Sequence, residues 1–253
     1  MLILKYIIKK ILYSLIGLFP RNSKIWIFRG FADKYVDNSK YLFEYVNQNT
    51  ELLAIWITNN IDTYLILKNK NKKCYMKYSF LGLYYAIRGK FHFYGDYNDY
   101  LTSAGAITVN LWHGTPIKKI EFDIKQGPLK YIFNNTLKSK ISFLHIYRKP
   151  DYIISSSSFI SNVVLSSAFR VDADKCLNFG YPRNDIFKKI EPLTSLNKDY
   201  SKVFIYLPTW RDDGKDFINS SGIVLKKLND LMIEKNSLFI FKLHPATNLN
   251  IDV

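Results

Sequence analysis

Four short motifs carry the side chains best suited to chemistry, and they follow one another along the chain: Trp112-His113-Gly114-Thr115-Pro116, Gly180-Tyr181-Pro182-Arg183-Asn184-Asp185, Pro208-Thr209-Trp210-Arg211 and Lys242-Leu243-His244-Pro245. Together they hold two imidazoles, two guanidinium groups, small hydroxyls and glycine-exposed backbone. Such groups can move a proton near neutral pH and grip a phosphate. His113 is a candidate general base for an attacking hydroxyl, and Gly114 would let a substrate approach the backbone closely. A structural histidine held in a turn is the competing reading. Thr115 can hydrogen-bond a phosphate oxygen or brace its own turn. Arg183 offers a planar fork to a phosphate, unless its motif is a hinge between units in which Asn184 and Asp185 cap the next helix. Thr209 and Arg211 suit a diphosphate. His244 ends a further strand and is placed to steady a leaving group.

Other polar residues lack such a setting. Asp212 and Asp213 have no third ligand at a sensible spacing, so no metal site is expected, and nothing in the chain calls for a cofactor. His92 and His145 read as packing or surface residues. Cys74 and Cys176, the only two cysteines, read as reduced thiols packed like small apolar groups.

The elements that must hold these motifs follow from the apolar patterning. Each motif sits where a strand-like run gives way to a loop, and in an open α/β sheet ligands bind outside those strand ends. Strands are expected at Lys24–Phe28, Leu53–Thr58, Cys74–Tyr78, Lys90–Tyr94, Ala106–Leu111, Tyr152–Ser155 and Cys176–Phe179. Helices are expected at Lys40–Asn47, where Asp37-Asn38-Ser39 offers N-cap chemistry, and at Ile61–Leu67, Phe80–Ile87 and Phe159–Ala168. Residues 118–149 are basic, with interleaved aromatics, and read as helices and loops. Alternating strands and helices predict a parallel sheet with crossover connections. A second α/β unit begins near Ser201, with a strand at Val203–Leu207, a helix at Val224–Glu234 and a strand at Leu238–Leu243. A lone βαβ has little core, so either this unit docks on the first domain or, as expected here, the sequence is a truncated form of something longer.

Charge and the N-terminus bear on partners. The 253 residues carry 36 Lys plus Arg against 21 Asp plus Glu, a net +15, which favours polyanionic partners. Nucleic acid is not the expected one: no helix-turn-helix, RNA-recognition or zinc pattern occurs, and the aromatics lie mostly within apolar runs. Residues 1–20 form an amphipathic helix in which Lys5, Lys9 and Lys10 share one broad arc and Leu4, Ile7, Ile8, Ile11, Leu12, Leu15 and Leu18 cover the rest. The uncharged stretch is shorter than the ~20 apolar residues a span requires. The pattern suits a helix lying in an anionic membrane interface. A helix packed on the protein's own surface and a signal or anchor are the competing readings.

Taken together, WHGTPIKKI, GYPRND, PTWRDD and KLHP resemble the CDP-glycerol glycerophosphotransferases of teichoic-acid and capsule synthesis, and GLYYAIRGK and DNSKYLFEY look like that family too. The resemblance runs from about Gly30 to Pro245. It implies a GT-B-like α/β fold: a membrane-interface helix over 1–20, an acceptor-side Rossmann-type domain over 21–200, and over 201–253 the start of an incomplete donor-binding unit, with the active site between the two. It implies a peripheral enzyme on the cytoplasmic face of the bacterial cell membrane that moves glycerol phosphate from a CDP-glycerol donor to a hydroxyl of a lipid-linked polyol-phosphate or glycan acceptor and releases CMP. By that similarity His113 is the base, His244 a donor-side catalytic or binding residue, and Thr209 and Arg211 line the donor phosphates. The family continues past KLHP with an Asp-Tyr-Ser-Ser-like turn that this sequence lacks. A CDP-ribitol donor and a non-catalytic protein binding anionic lipid or polymer are the alternatives.

Overall fold

The computed structural model describes residues 2–99, 101–127, 129–134, 149–188, 199–208 and 221–242. The chain divides into two compact units, Met1–Lys188 and Lys189–Val253. The division falls a dozen residues before the boundary expected from the strand pattern.

The first unit is built on β1 (Asn22–Arg29), α2 (Asp37–Asn49), β2 (Leu53–Thr58), α3 (Ile61–Asn69), β3 (Cys74–Met76), α4 (Phe80–Arg88), β4 (Gly89–Tyr94), β5 (Ile107–Asn110), α5 (Leu129–Asn134), β6 (Tyr152–Ile154) and β7 (Cys176–Leu177), preceded by α1 (Leu2–Gly17). Its seven strands pair in the order β3-β2-β1-β4-β5-β6-β7, and every pairing is parallel. From β1 the chain steps outward to β2 and β3, then crosses back through α4 to place β4 on the other side of β1. The strand order therefore reverses between β1 and β4. In doubly wound sheets, that reversal opens a crevice beyond the strand C-termini.

The same reversal puts helices on both faces. Alternate residues of a strand point to opposite sides. Phe28, Trp56 and Phe93 pack with Phe43 and Val46 of α2 and Leu67 of α3 on one face. Ile25, Ile27, Ile55 and Ile57 face the other way, towards Tyr75 of β3 and Tyr85 of α4. A strand covered on both sides should be apolar throughout, and β2, Leu-Ala-Ile-Trp-Ile-Thr, is buried at every position after the first. Phe28 stacks on Phe93 at 5.1 Å, and Phe43 meets Trp56 edge-on at 5.3 Å. Each such buried side chain contributes about 1.5–3 kcal/mol. A third cluster, Trp112, Phe133, Ile153, Leu165, Phe169 and Val171, closes the β6–β7 end. There the expected helix near 159–168 is helical in three parts, Ser158–Ile160, a π-helical turn Ser161–Leu165, and Ser166–Phe169, together α6.

Both cysteines are buried and unbridged. His92 is buried within β4, its Nε2 3.0 Å from the Ala86 carbonyl. Burial, with Arg21 and Arg29 nearby, pushes its pKa down to about 3. Within residues 118–149, a short 3-10 turn (Glu121–Asp123) and α5 are described, while His145 lies outside the described residues.

The N-terminal helix is held at its end. Just beyond it, Arg21 donates through Nη1 to the carbonyls of Ala86 (2.9 Å) and Gly89 (3.0 Å), and through Nη2 to those of Thr102 (3.0 Å) and Ala104. Arg88 of α4 donates to the Pro20 carbonyl. Leu4, Ile7, Ile8, Ile11, Leu12, Leu15 and Leu18 remain exposed. Among the described residues, no helix is long and apolar enough to cross a membrane.

The second unit holds β8 (Lys202–Tyr206), α7 (Leu225–Glu234) and β9 (Ser237–Phe241). Its two strands are parallel, with Lys202 opposite Ser237 and Tyr206 opposite Phe241, so β8, α7 and β9 make one βαβ crossover.

Candidate active site

The C-terminal edge of the seven-stranded sheet gathers His113, Gly114, Thr115 and Arg183. His113 follows β5, next to β4 in the sheet. Asn110, the last residue of β5, accepts from the Trp112 amide at 2.8 Å through Oδ1. That bond helps hold Trp112 at φ 43°, in the left-handed region, so the chain turns sharply and carries the imidazole over the strand ends. The ring lies between two aromatic neighbours, with centroids 4.7 Å from Phe31 and 4.0 Å from Trp112. Phe31 lies just past the end of β1, so His113 sits at the point where strand order reverses.

The imidazole is half-buried, and its Nδ1 lies 3.4 Å from the Gly95 carbonyl beyond β4. A carbonyl can only accept. The contact thus calls for the tautomer protonated on Nδ1 and leaves the Nε2 lone pair available. Burial lowers the His113 pKa below the ordinary histidine value; the Gly95 contact and the carboxylates of Asp37 and Asp96 oppose this, and Arg183 adds to it. The net effect keeps the ring neutral near pH 7, the state a general base needs.

Gly114 has φ 145°, and a Cβ there would stand 2.9 Å from Arg183 Nη2. The glycine therefore serves both the backbone conformation and the close packing of the guanidinium. Thr115 donates to Ser156 Oγ at 3.1 Å and, more weakly, to Tyr181 Oη at 3.5 Å, which ties its loop to those after β6 and β7. Arg183 donates from Nη1 to Asp37 Oδ1 and to the His113 carbonyl, each at 2.9 Å. This guanidinium is thus engaged with protein groups and braces the histidine loop. Asn184 and Asp185 lie within a 3-10 helix, Pro182–Lys188. Thr209, Arg211 and His244 lie outside the described residues.

Several polar residues at this edge stand out only in the structure. Asn38, expected to cap α2, is instead fully buried inside its first turn. Its Nδ2 donates to the carbonyls of Leu111 (3.0 Å) and Trp112 (2.9 Å), and its Oδ1 accepts from the Arg183 amide at 3.3 Å. Asp96 accepts from the amides of Ala32 and Tyr97. Asp99 receives Lys77 at 2.5 Å and Arg29 at 3.8 Å. Burial tends to raise the Asp99 pKa, but these cations outweigh it and hold the carboxyl below its ordinary value. Arg29, Lys77, Asp96 and Asp99 line a polar cavity of about 180 Å³ at the reversal point. Gly30 belongs to its wall, and a Cβ there would fall 1.7 Å from the Lys34 carbonyl. The signal available in the sequence was the run Phe-His-Phe-Tyr-Gly-Asp over 91–96, an apolar strand ending in glycine and a carboxylate.

Glu121 is buried and accepts from Tyr97 Oη at 3.2 and 3.3 Å. Burial pushes its pKa up to about 7. Of the eight non-glycine residues with positive φ among the described residues, Ala32, Asp33, Asp37 and Trp112 lie at this edge. Such conformations cost of order 1–3 kcal/mol each and tend to collect at functional sites. Among the described residues, no three His, Cys, Asp or Glu side chains are grouped so as to hold a metal ion.

Comparison with known proteins bears on the fold and the family. The solved structure of the wall teichoic acid polymerase TagF matches with a TM-score of 0.65 at 23% identity, over 95% of this chain and 62% of that one. The fold is accordingly GT-B-like. The chain is 29% identical over 268 residues to the teichoic acid poly(glycerol phosphate) polymerase of Bacillus spizizenii, covering 97% of this chain and 66% of that protein. It is also 29% identical over 213 residues to the teichoic acid glycerol-phosphate transferase of Staphylococcus aureus, covering 79% and 54%. The chain thus spans about two thirds or less of the length of these relatives. The model for CDP-Glycerol:Poly(glycerophosphate) glycerophosphotransferase matches residues 11–253, nearly the whole sequence, and the chain belongs to that family.

Proposed function

We propose that this chain takes part in transfer of glycerol phosphate from CDP-glycerol to a hydroxyl of a lipid-linked teichoic-acid or capsule acceptor, with release of CMP. The observation that carries this reading is the position of His113: an imidazole over the strand-order reversal, its Nδ1 facing the Gly95 carbonyl, with Nε2 left to accept a proton. The acceptor hydroxyl gives its proton to Nε2 as its oxygen attacks the donor's β-phosphorus. The bond from that phosphorus to the bridging oxygen breaks, and CMP carries the electron pair away. Most of the acceleration then comes from positioning and from groups that face the developing charge.

Within this reading, residues 21–200 form the acceptor side and residues 201–253 contribute to donor binding. Gly114 and Thr115 border the reacting centre. Arg183 acts through the His113 loop. Thr209 and Arg211 contact the donor phosphates, and His244 serves the donor side. These three assignments rest on family membership. The exposed apolar side chains of α1, with Lys9 and Lys10 also exposed, favour an in-plane seat on an anionic membrane, with the protein peripheral on the cytoplasmic face.

The test is incubation of the chain with labelled CDP-glycerol and a lipid-linked acceptor. Label should move to lipid, and His113→Ala should lower that transfer by about 10²–10⁴-fold. Transfer by the variant at the wild-type rate would remove the base assignment. For the membrane seat, sedimentation with anionic vesicles should fall when residues 1–20 are deleted; binding indifferent to the deletion would refute it.

A further inference from the structure

We propose that Asn38 is the positioning residue of the His113 loop, a role that rests on the transferase reading above. The sequence offers Asp37-Asn38-Ser39 as a helix cap, yet the N-cap of α2 is Val36 and makes no side-chain capping bond. The amide of Asn38 is spent on tertiary contacts. Its two Nδ2 hydrogens go to the Leu111 and Trp112 carbonyls, and its Oδ1 takes the Arg183 amide. One fully buried side chain thereby joins three segments that meet only through folding: the start of α2, the loop beyond β5 and the loop beyond β7.

The Trp112 carbonyl belongs to the peptide unit that leads directly into His113, and Trp112 is itself in the left-handed region. A bond to that oxygen fixes the peptide plane from which the imidazole projects. From the other side, Arg183 binds the next carbonyl, that of His113, and anchors itself on Asp37. Consecutive carbonyls are therefore held by neighbouring residues of α2, one directly and one through Arg183. With both held, the ring can keep its place between Phe31 and Trp112 and its Nδ1 contact with Gly95.

No other common side chain of this size supplies two donors and an acceptor in one plane. An aspartate at 38 would retain the acceptor but set a carboxylate oxygen against two carbonyls. A serine would retain a single donor and lose reach. Asn38 touches no reacting atom on this account and acts only through His113.

The experiment compares wild type, Asn38→Asp and Asn38→Ser, all checked for folding by circular dichroism. It measures 15N shifts of the His113 ring across pH together with transfer kinetics. We expect the His113 pKa to rise towards the ordinary histidine value and both tautomers to appear in the variants. We expect kcat to fall about 10- to 100-fold, the scale of a small misplacement of a reacting group, with KM for CDP-glycerol changed less than about twofold because ground-state binding is untouched. Unaltered His113 signals in a folded variant would overturn the proposal, as would a loss confined to KM. If Asn38→Asp does not fold, the milder Asn38→Ser decides by the same two readouts. The ring titration does not depend on turnover. Absence of transfer by wild type would therefore count against the transferase reading and leave the positioning claim to the spectra.

Discussion

Two imidazoles on neighbouring strand paths, His92 inside β4 and His113 just past β5, share much of their local chemistry and differ in where the sheet leaves them. Each has a ring nitrogen near a backbone carbonyl, Ala86 for His92 and Gly95 for His113, and burial lowers both pKa values. His92 lies under α4, closed off from solvent, and its ring nitrogen is used in tying that helix to the strand. His113 lies over the strand ends, half-buried, with Nε2 unused in that contact. Burial with no exit makes a packing residue. On the proposed reading, burial at the mouth of a strand-order reversal makes a neutral base that a substrate can reach. The sheet edge, more than the imidazole or its shifted pKa, sets the candidate functional group apart.

The sharpest way to break this contrast is to remove each ring in turn. His113→Ala should lower transfer by about 10²–10⁴-fold, the usual contribution of a positioned general base, while leaving the denaturation midpoint near wild type. His92→Ala should do the reverse, costing about 1–3 kcal/mol of stability through its cavity and lost hydrogen bond with kcat little changed in whatever remains folded. Urea titrations beside turnover assays would read both, and a loss of activity from His92→Ala equal to that from His113→Ala would erase the distinction.

A second effect, smaller in reach, concerns the loop itself. Gly114→Ala forces a Cβ into φ 145° and against Arg183 Nη2. It should lower kcat along with about 1–3 kcal/mol of stability, the cost of a strained conformation. Arg183→Lys, which keeps the charge and loses the fork, should also lower kcat without that strain. Equal activity of all three proteins would show that the loop tolerates other shapes.

A further contrast lies in pH dependence, where the buried groups act with opposite signs. His92 is held at about 3 in the fold, whereas the unfolded ring takes a proton near pH 6.5. Its contribution to stability is complete above about pH 6.5 and is lost as pH falls towards 3. Glu121 is raised to about 7 from an unfolded value of about 4.3. Its contribution is complete below about pH 4 and is lost as pH rises through 7. Glu121→Gln should therefore be more stable than wild type at pH 8 and nearly equal to it at pH 4. Melting both proteins across that range would check the sign; an advantage for the variant only at low pH would contradict the buried, uncharged Glu121.

Much of this edge was legible in the sequence. Apolar runs with β-branched and aromatic residues placed β2 at Leu53–Thr58 to the residue, and the histidine at the end of the run before Gly114 marked His113. What stayed hidden was whatever depends on partners far along the chain. Asn38 and Arg183 are separated by 145 residues, and local spacing presents the first as a cap and the second as a phosphate fork. Helix propensity sees the hydroxyl and amide groups at the start of α2; it cannot see the carbonyls folded over them. The cavity groups Arg29, Lys77, Asp96 and Asp99 come from three segments, at or just past the ends of β1, β3 and β4, and only the strand order makes them neighbours. The division of the chain at Lys188 likewise reflects packing of the turn Pro182–Lys188 with the first unit, which strand periodicity does not encode.

The state of His113 is read most directly by 15N NMR of the selectively labelled histidine ring as pH is varied. The account predicts a midpoint below 6.5, with the proton on Nδ1 and a bare Nε2 in the neutral form. A midpoint at or above the ordinary histidine value, or a neutral ring protonated on Nε2, would contradict it.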